Sequence, residues 1–273
     1  CPDRPFCLIG LREVYGLEFA EFRPLDAGGP ITVEALAGGE IDVALLFTSD
    51  PTIPARGFVI LQDDRQLQRA DNLVPVISSA IVEEHPAVAE LLNSVSERLT
   101  QEELIELNRQ VIEDREDPAD VAASWLEEQD LLTNADPSAG SGAESITIGK
   151  TNFYEQDILS ELYAQILEAN GFTVARQEAS GTREVVFPAL EAGQLDVLPE
   201  YAATALEFVN QGAGEATADG EETTELLRQR LEPMGLTALD PAPATDQNAI
   251  VVTPELANEH GLTKISDLAQ PAP

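Results

Sequence analysis

The 273-residue sequence carries 50 Asp and Glu against 15 Lys and Arg, a formal charge of −35, and 43% of its residues are apolar. It is long enough for one large or two medium domains with cores of their own, and it contains no run of 18 apolar residues that could span a bilayer. A general nucleic-acid binder is excluded, because phosphate contacts need clustered cations.

The chain opens on "CPDRPFC". Five residues between Cys1 and Cys7 can close a small disulfide loop, which suits an oxidising, extracytoplasmic setting; a lipid-modified Cys1 is the alternative left open. Two Cys and two distant His are too few for a zinc site, so no metal and no cofactor are expected. A helix then ends at Gly16, and an alternating strand, a Gly-containing loop, a helix over "ITVEALAGG" and a strand opening at Ile41 follow. Residues 86–132 read as three amphipathic helices with acidic outer faces, broken at Thr100 and near Pro118. "TNADPSAGSGAES", residues 133–145, is almost free of apolar side chains and reads as a flexible linker. The strand "SITIGK" comes next, and a second acidic, Gly-rich loop spans residues 210–222.

The phrase A-L-x-x-G-x-(Ile/Leu)-Asp-Val occurs twice, at Ala35 and at Ala189, 154 positions apart (189 − 35). Reading backwards extends the match: a helix ending at Gly16 or Gly171, an alternating strand, a loop, a second helix ending on glycine, then a strand opening at Ile41 or Leu195. A strand–helix–strand unit of that length closes a parallel pair. Two copies predict two α/β lobes of related design.

In parallel sheets, ligands gather beyond the carboxyl ends of the strands. Three stretches fall there: Lys150 to Gln156, Glu200 to Thr204, and Phe47 to Asp50; a fourth, Asp246 to Asn248, enters a strand. Phe47 and Tyr201 occupy matching positions of the repeat, and paired aromatic faces can enclose a cation at ~2 kcal/mol or more per desolvated ring. Lys150 is one of only two lysines, the other being Lys264; at a strand end beside a helix start it suits an anionic group. Arg4, between two prolines, could hold a carboxylate in bidentate fashion. Dense acid with so little lysine also resembles the surfaces of proteins from salt-loving microbes, where salt screens the repulsion.

Several of these stretches carry a family resemblance. "IGKTNFYEQDILSELYAQILEANGFTV", "ALEAGQLDVLPEYAAT", "GLTKISDLA", "RPFCLIGLREVYGLEF" and "VAASWLEEQDLL" resemble the glycine betaine/carnitine/choline (ProX/OpuAC-like) substrate-binding proteins of ABC importers. The resemblance implies a two-lobed periplasmic-binding-protein fold of type II-like α/β design, each lobe a mainly parallel sheet flanked by helices. In that family the part like Ile146 to Pro273 comes first, so the order here is that of a circular permutation joined through residues 133–145. One lobe is expected over residues 1–76 with 246–273 and contains both chain ends; the other covers 77–245.

The resemblance also implies a small quaternary-amine ligand held in the cleft, an ABC permease as partner, an extracytoplasmic location and a monomer. By similarity Tyr201 is a cage tyrosine, Thr204 a polar contact one turn on, Lys150 and Arg4 the carboxylate-binding cations, and Gln156 a further ligand contact. Three positions depart from the family: Phe47 stands where tyrosine is usual, Asn248 where an aromatic is common, and Asp71 or Asn72 where another tyrosine often lies. An acidic Asp71 would offset a cationic head. An enzyme is the rival class, but His85 and His260 sit at helix ends, and no G-x-S-x-G elbow, metal-type His pair or phosphate-cradling glycine loop is present. A ligand-responsive sensor or an engineered permuted scaffold is the second rival.

Overall fold

The computed structural model describes residues 6–26, 28–177 and 181–269. In chain order the elements are α1 (Leu8–Tyr15), α2 (Pro30–Ala37), β1 (Ala44–Phe47), α3 (Thr52–Ala55), β2 (Val59–Ile60), β3 (Leu73–Ser78), α4 (Ser79–Glu84), α5 (Pro86–Arg98), α6 (Gln101–Ile112), α7 (Pro118–Glu128), β4 (Ile146–Ile148) and α8 (Gln156–Ala169). They continue with β5 (Val174–Arg176), α9 (Arg183–Glu191), β6 (Val197–Tyr201), α10 (Ala202–Val209), α11 (Gly220–Leu231), β7 (Leu236–Ala238), β8 (Asn248–Val252), α12 (Pro254–His260) and a 3-10 turn (Ile265–Ala269). Two compact units result, Cys1–Arg69 with Asp246–Pro273 and Ala70–Thr245. The break falls after Arg69 rather than after Val76, because all of β3 pairs inside the second unit.

In the first unit β8 is the middle strand of β1-β8-β2 and runs antiparallel to both neighbours. Its side chains alternate, as a strand's must. Ile250 and Val252 pack with Leu11 and Tyr15 of α1, Ala257 of α12 and Ile265; Ala249 and Val251 pack with Val33 and Leu36 of α2 and Ile53 of α3. Each fully buried aliphatic side chain contributes roughly 1.5–3 kcal/mol before chain entropy is counted. Gly16 ends α1 with φ 69°; its N–H donates to the Arg12 carbonyl at 3.0 Å and Leu17 N donates to the Leu11 carbonyl at 3.2 Å, the left-handed stop that glycine makes cheaply.

The strand expected after Gly16 does not form. Leu17 is buried, but Phe22 and Leu25 are 44% and 39% exposed, and no described strand lies along the edge of β1 away from β8. In the second unit the matching strands, β5 and β6, flank β4 and run parallel to it. The repeat therefore predicts the direction of β5 and β6 correctly but not their adjacency, and in the first unit no strand follows Gly16 among the described residues.

The second unit orders its strands β5-β4-β6-β3-β7, with β3 antiparallel to β6 and β7. Both sheets thus depart from the mainly parallel design expected. The strands that run against the grain, β3 and β8, each follow directly on a passage of the chain from one unit to the other. One face of the second sheet, with Leu73, Ile77, Ile146 and Val197, packs on α5, α7 and α8. The other face, with Val74, Val76 and Leu198, packs on α9, α10 and α11. The three helices predicted over residues 86–132 are α5, α6 and α7; Thr100 caps α6 by accepting from Glu103 N, and Pro118 opens α7 behind Asp117.

Residues 133–145 are not a slack tether. Asn170 Oδ1 accepts from Asp136 N at 2.8 Å, Gly140 N donates to the Asn170 carbonyl at 3.0 Å, and Ala139 and Ala143 pack against the core beneath. Gly140 lies so close to Gly171 that a Cβ on either would strike backbone, that of Gly171 and Phe172 in one case and of Pro137 in the other. Composition alone predicts a loose chain here; backbone-to-backbone packing, which needs no apolar side chains, holds it.

Candidate functional site

The C-terminal end of β6 and the turn from β4 into α8 meet in the second unit. β6 delivers Tyr201 at its last residue, buried at 6% exposure. The turn delivers Phe153, Tyr154, Glu155 and Gln156, with Glu155 at the N-cap and Gln156 opening α8. The helix is seated by Ile158, Leu159, Leu162, Ile166 and Leu167, all buried in the i, i+1, i+4, i+8, i+9 pattern of one apolar face. That seat fixes where its first turn points.

Tyr201 is held by its hydroxyl. It donates to Glu155 Oε1 at 2.7 Å and accepts from Gln156 Nε2 at 3.4 Å. Gln156 Oε1 in turn accepts from Thr151 N at 3.2 Å, and Asn108 Nδ2 of α6 donates to Glu155 Oε2 at 2.9 Å. Glu155 and Gln156 are fully buried. Phe153 meets the Tyr201 ring edge-on, centroids 5.9 Å apart, and leans on Tyr154 at 4.3 Å.

Beside Tyr201, the fully buried side chain of Glu200 takes Arg183 in a fork, with contacts of 2.9, 3.1 and 2.7 Å. Glu200 Oε2 also accepts from Tyr201 N at 3.2 Å. Asp71 accepts from Thr204 N at 2.8 Å and from the Thr204 hydroxyl. Burial pushes the Asp71 carboxyl up to about 6, against the hydrogen bonds of Thr204 and the nearby charge of Arg183, which act to lower it. Asp71 therefore engages Thr204, and Asn72 spends its side chain on the Ala242 carbonyl at 2.8 Å. Lys150 is tied to Asp157 Oδ1 at 2.6 Å.

In the first unit Phe47 and Asn248 are register partners across β1 and β8. The Phe47 ring lies against Gly28, whose φ of 94° and close approach leave no room for a side chain. Asn248 Nδ2 donates to Gln68 Oε1 at 3.1 Å and to the Phe6 carbonyl at 3.4 Å. Cys7 is disulfide-bonded; Cys1 and Arg4 lie outside the described residues. A cavity of about 430 Å³, lined by Leu11, Phe19, Phe22, Val43 and Leu45 among others, opens beside β1. Of the candidate ligand and disulfide residues among those described, only Cys7 lines it.

The second unit thus brings together Tyr201 with Gln156, and Thr204 with Asp71. Phe153, Glu155 and Asn108 belong to the same cluster and were not singled out. The aromatic pair at the strand-to-helix turn was the available signal for Phe153; nothing in the sequence places Asn108 beside Glu155, since 47 residues separate them. Among the described residues no group of three or more His, Cys, Asp or Glu could hold a metal ion, and no helix is long and apolar enough to cross a membrane. His85 sits between α4 and α5, edge-on to Phe172, and His260 ends α12.

Sheets covered by helices on both faces, with an aromatic and hydrogen-bonding cluster at the strand ends, define an α/β ligand-binding protein. The chain belongs to the family of substrate-binding domains of ABC-type glycine betaine transport systems, matched over residues 2–128 and 144–273, a family of binding domains and not a class of enzymes. It is 33% identical over 141 residues to a glycine-betaine-binding protein of Pseudomonas aeruginosa, a match covering 51% of this chain and 44% of that one. Against the glycine betaine-binding protein YehZ of Escherichia coli the identity is 30% over 131 residues, 47% and 42% of the two chains. The carnitine transport binding protein OpuCC of Listeria monocytogenes is 25% identical over 120 residues, 44% and 38%. The matched stretches span less than half the length of each of these relatives.

Proposed function

We propose that this protein captures a small quaternary-ammonium osmolyte of the glycine betaine, choline or carnitine type outside the cytoplasm and delivers it, as a monomer and without catalysis, to an ABC permease. The observation that carries the reading is the Tyr201 cluster: a ring pinned by its hydroxyl at a strand end, with Phe153 beside it, in a chain of this family. A desolvated aromatic face attracts a methylated cation without requiring the cation to surrender a hydrogen bond, because a quaternary nitrogen has none to give.

Thr204 is the polar contact of this site, buttressed by Asp71. Lys150 serves the ligand carboxylate; its ammonium has three donors, so the bond to Asp157 leaves capacity for a second anion. Phe47, Asn248 and Arg4 are further ligand residues on the strength of the family resemblance. The rotated order belongs to the same proposal. It is supported by the two separate family matches on either side of residues 129–143 and by the packing of α1 against the 3-10 turn at 265–269, near the two ends of the chain.

The test is calorimetry with glycine betaine, choline and carnitine, and with ectoine and proline as controls. Tyr201→Ala should weaken the preferred amine more than tenfold, the equivalent of ~1.4 kcal/mol or more. Unchanged affinity removes Tyr201 from the site, and no binding of any quaternary amine by the wild type refutes the function.

A further inference from the structure

The hydrogen bonds that link Tyr201 to its neighbours converge on Glu155. Thr151 N donates to Gln156 Oε1, Gln156 Nε2 donates to the Tyr201 hydroxyl, the hydroxyl donates to Glu155 Oε1, and Asn108 Nδ2 donates to Glu155 Oε2. Because Thr151 N can only donate, it fixes which end of the Gln156 amide faces the tyrosine, so that Gln156 Nε2 donates to the hydroxyl. Both carboxyl oxygens of Glu155 are engaged, Oε1 by the Tyr201 hydroxyl at 2.7 Å and Oε2 by the Asn108 amide at 2.9 Å. This carboxylate is fully buried, where charges are poorly screened and aligned hydrogen bonds polarise one another.

We propose that Glu155 is a positioning and specificity residue for the cationic head of the ligand, acting through Tyr201: by drawing on the phenol proton it makes the ring a stronger π-donor, so that the site selects for positive charge and not merely for a trimethyl shape. A phenol that donates to an anion is shifted part-way toward phenolate, and electron density gained by the ring deepens the negative face that a cation meets. The carboxylate also adds a direct attraction for the cation that a neutral ligand of equal shape cannot use. Tyr201 would bind either shape by contact; Glu155 confers the preference for charge. This inference rests on the proposed capture of a quaternary amine.

The discriminating probe is a pair of ligands with the same outline: choline and its neutral carbon isostere 3,3-dimethylbutan-1-ol. Titration of the intact protein with each gives a ratio of affinities for wild type, Glu155→Gln and Tyr201→Phe. Glu155→Gln should weaken choline about tenfold or more while changing the isostere by less than about threefold. Tyr201→Phe, which keeps the ring and removes the hydroxyl that couples it to Glu155, should weaken choline severalfold with the same selectivity. In the Tyr201→Phe background, Glu155→Gln should lose much of its effect, the non-additivity of two groups that act as one.

Equal losses for both ligands would reduce Glu155 to a structural residue, and an unchanged choline affinity in Tyr201→Phe would refute coupling through the hydroxyl. If Glu155→Gln does not fold, Tyr201→Phe decides alone. Failure of wild-type protein to bind any quaternary amine would instead defeat the underlying function, a result distinguishable from the others because it needs no variant.

Discussion

Arg183→Met should cost the second unit about 3–5 kcal/mol of stability. Glu200 is 1% exposed, and its carboxylate is neutralised by a guanidinium fork at 2.7–3.1 Å. Methionine keeps much of the volume of Arg183 but removes both the charge and the donors. Glu200 is then left with the Tyr201 backbone N–H at 3.2 Å, and an uncompensated buried charge of this kind is strongly destabilising. Trp125, the sole tryptophan, is buried in α7 of the same unit and donates to Glu103 Oε2 at 2.6 Å, so its fluorescence during urea unfolding reports on that unit. Adding Glu200→Leu should recover most of the loss, because a buried ion pair replaced as a pair is close to neutral. A loss below about 1 kcal/mol for Arg183→Met at unchanged m-value would refute the reasoning, since it would mean that water or another cation compensates Glu200.

Asp71 makes a second, opposite prediction. Its folded-state value is raised by burial to about 6, above the ordinary carboxylate value, so the folded state binds the proton more tightly and this group's contribution to stability falls as pH rises from about 4 to about 6. Asp71→Asn should remove that dependence. The stability difference, wild type minus variant, should change by on the order of 2 kcal/mol across the window and flatten above it; a flat difference curve throughout counts against the buried environment of Asp71. Gly140→Ala should destabilise by about 1–3 kcal/mol in denaturant titration because its Cβ meets backbone that cannot rotate away, whereas Ser141→Ala, on an exposed residue, should be near neutral. With a formal charge of −35, the thermal midpoint should rise as NaCl goes from 0.05 M to 1 M, and a midpoint that falls would contradict net self-repulsion as a cost. Lys150→Ala should weaken glycine betaine more than choline in calorimetry, since only the former carries a carboxylate; equal losses would remove Lys150 from the anion site.

Much of the fold was legible because helices announce themselves twice, by apolar spacing and by punctuation. Thr100, Pro118 and Gly16 mark their boundaries in the sequence and occupy those boundaries in the structure. Strand partners were less legible. The repeat copies β5, α9 and β6 faithfully but says nothing of β4, which lies between β5 and β6 although it precedes both in the chain. "LEFAEF" alternates as a strand should, yet alternation establishes only that a segment could pair. A neighbour must be there to accept it.

The same division holds at the site. Tyr201, Gln156 and Thr204 were readable because they sit at strand-to-helix turns, where the local pattern points outward from the sheet. Asn108, on a helix whose sequence reads as ordinary amphipathic surface, reaches Glu155 only through tertiary packing. Sequence alone suits Asp71 to a counter-charge for the ligand, but its commitment to the N–H and hydroxyl of Thr204 depends on the antiparallel pairing of β3 with β6, which no local signal encodes.

The seat of residues 133–145 on the far end of α8 determines where foreign sequence can be grafted. A peptide spliced between Asp136 and Gly140 must prise apart two main chains before it finds room, and it would loosen the very helix whose opposite end carries Glu155 and Gln156. Around Gly212 and Gly214, by contrast, even an added Cβ meets nothing within 4 Å. A reporter loop installed there leaves that lever untouched.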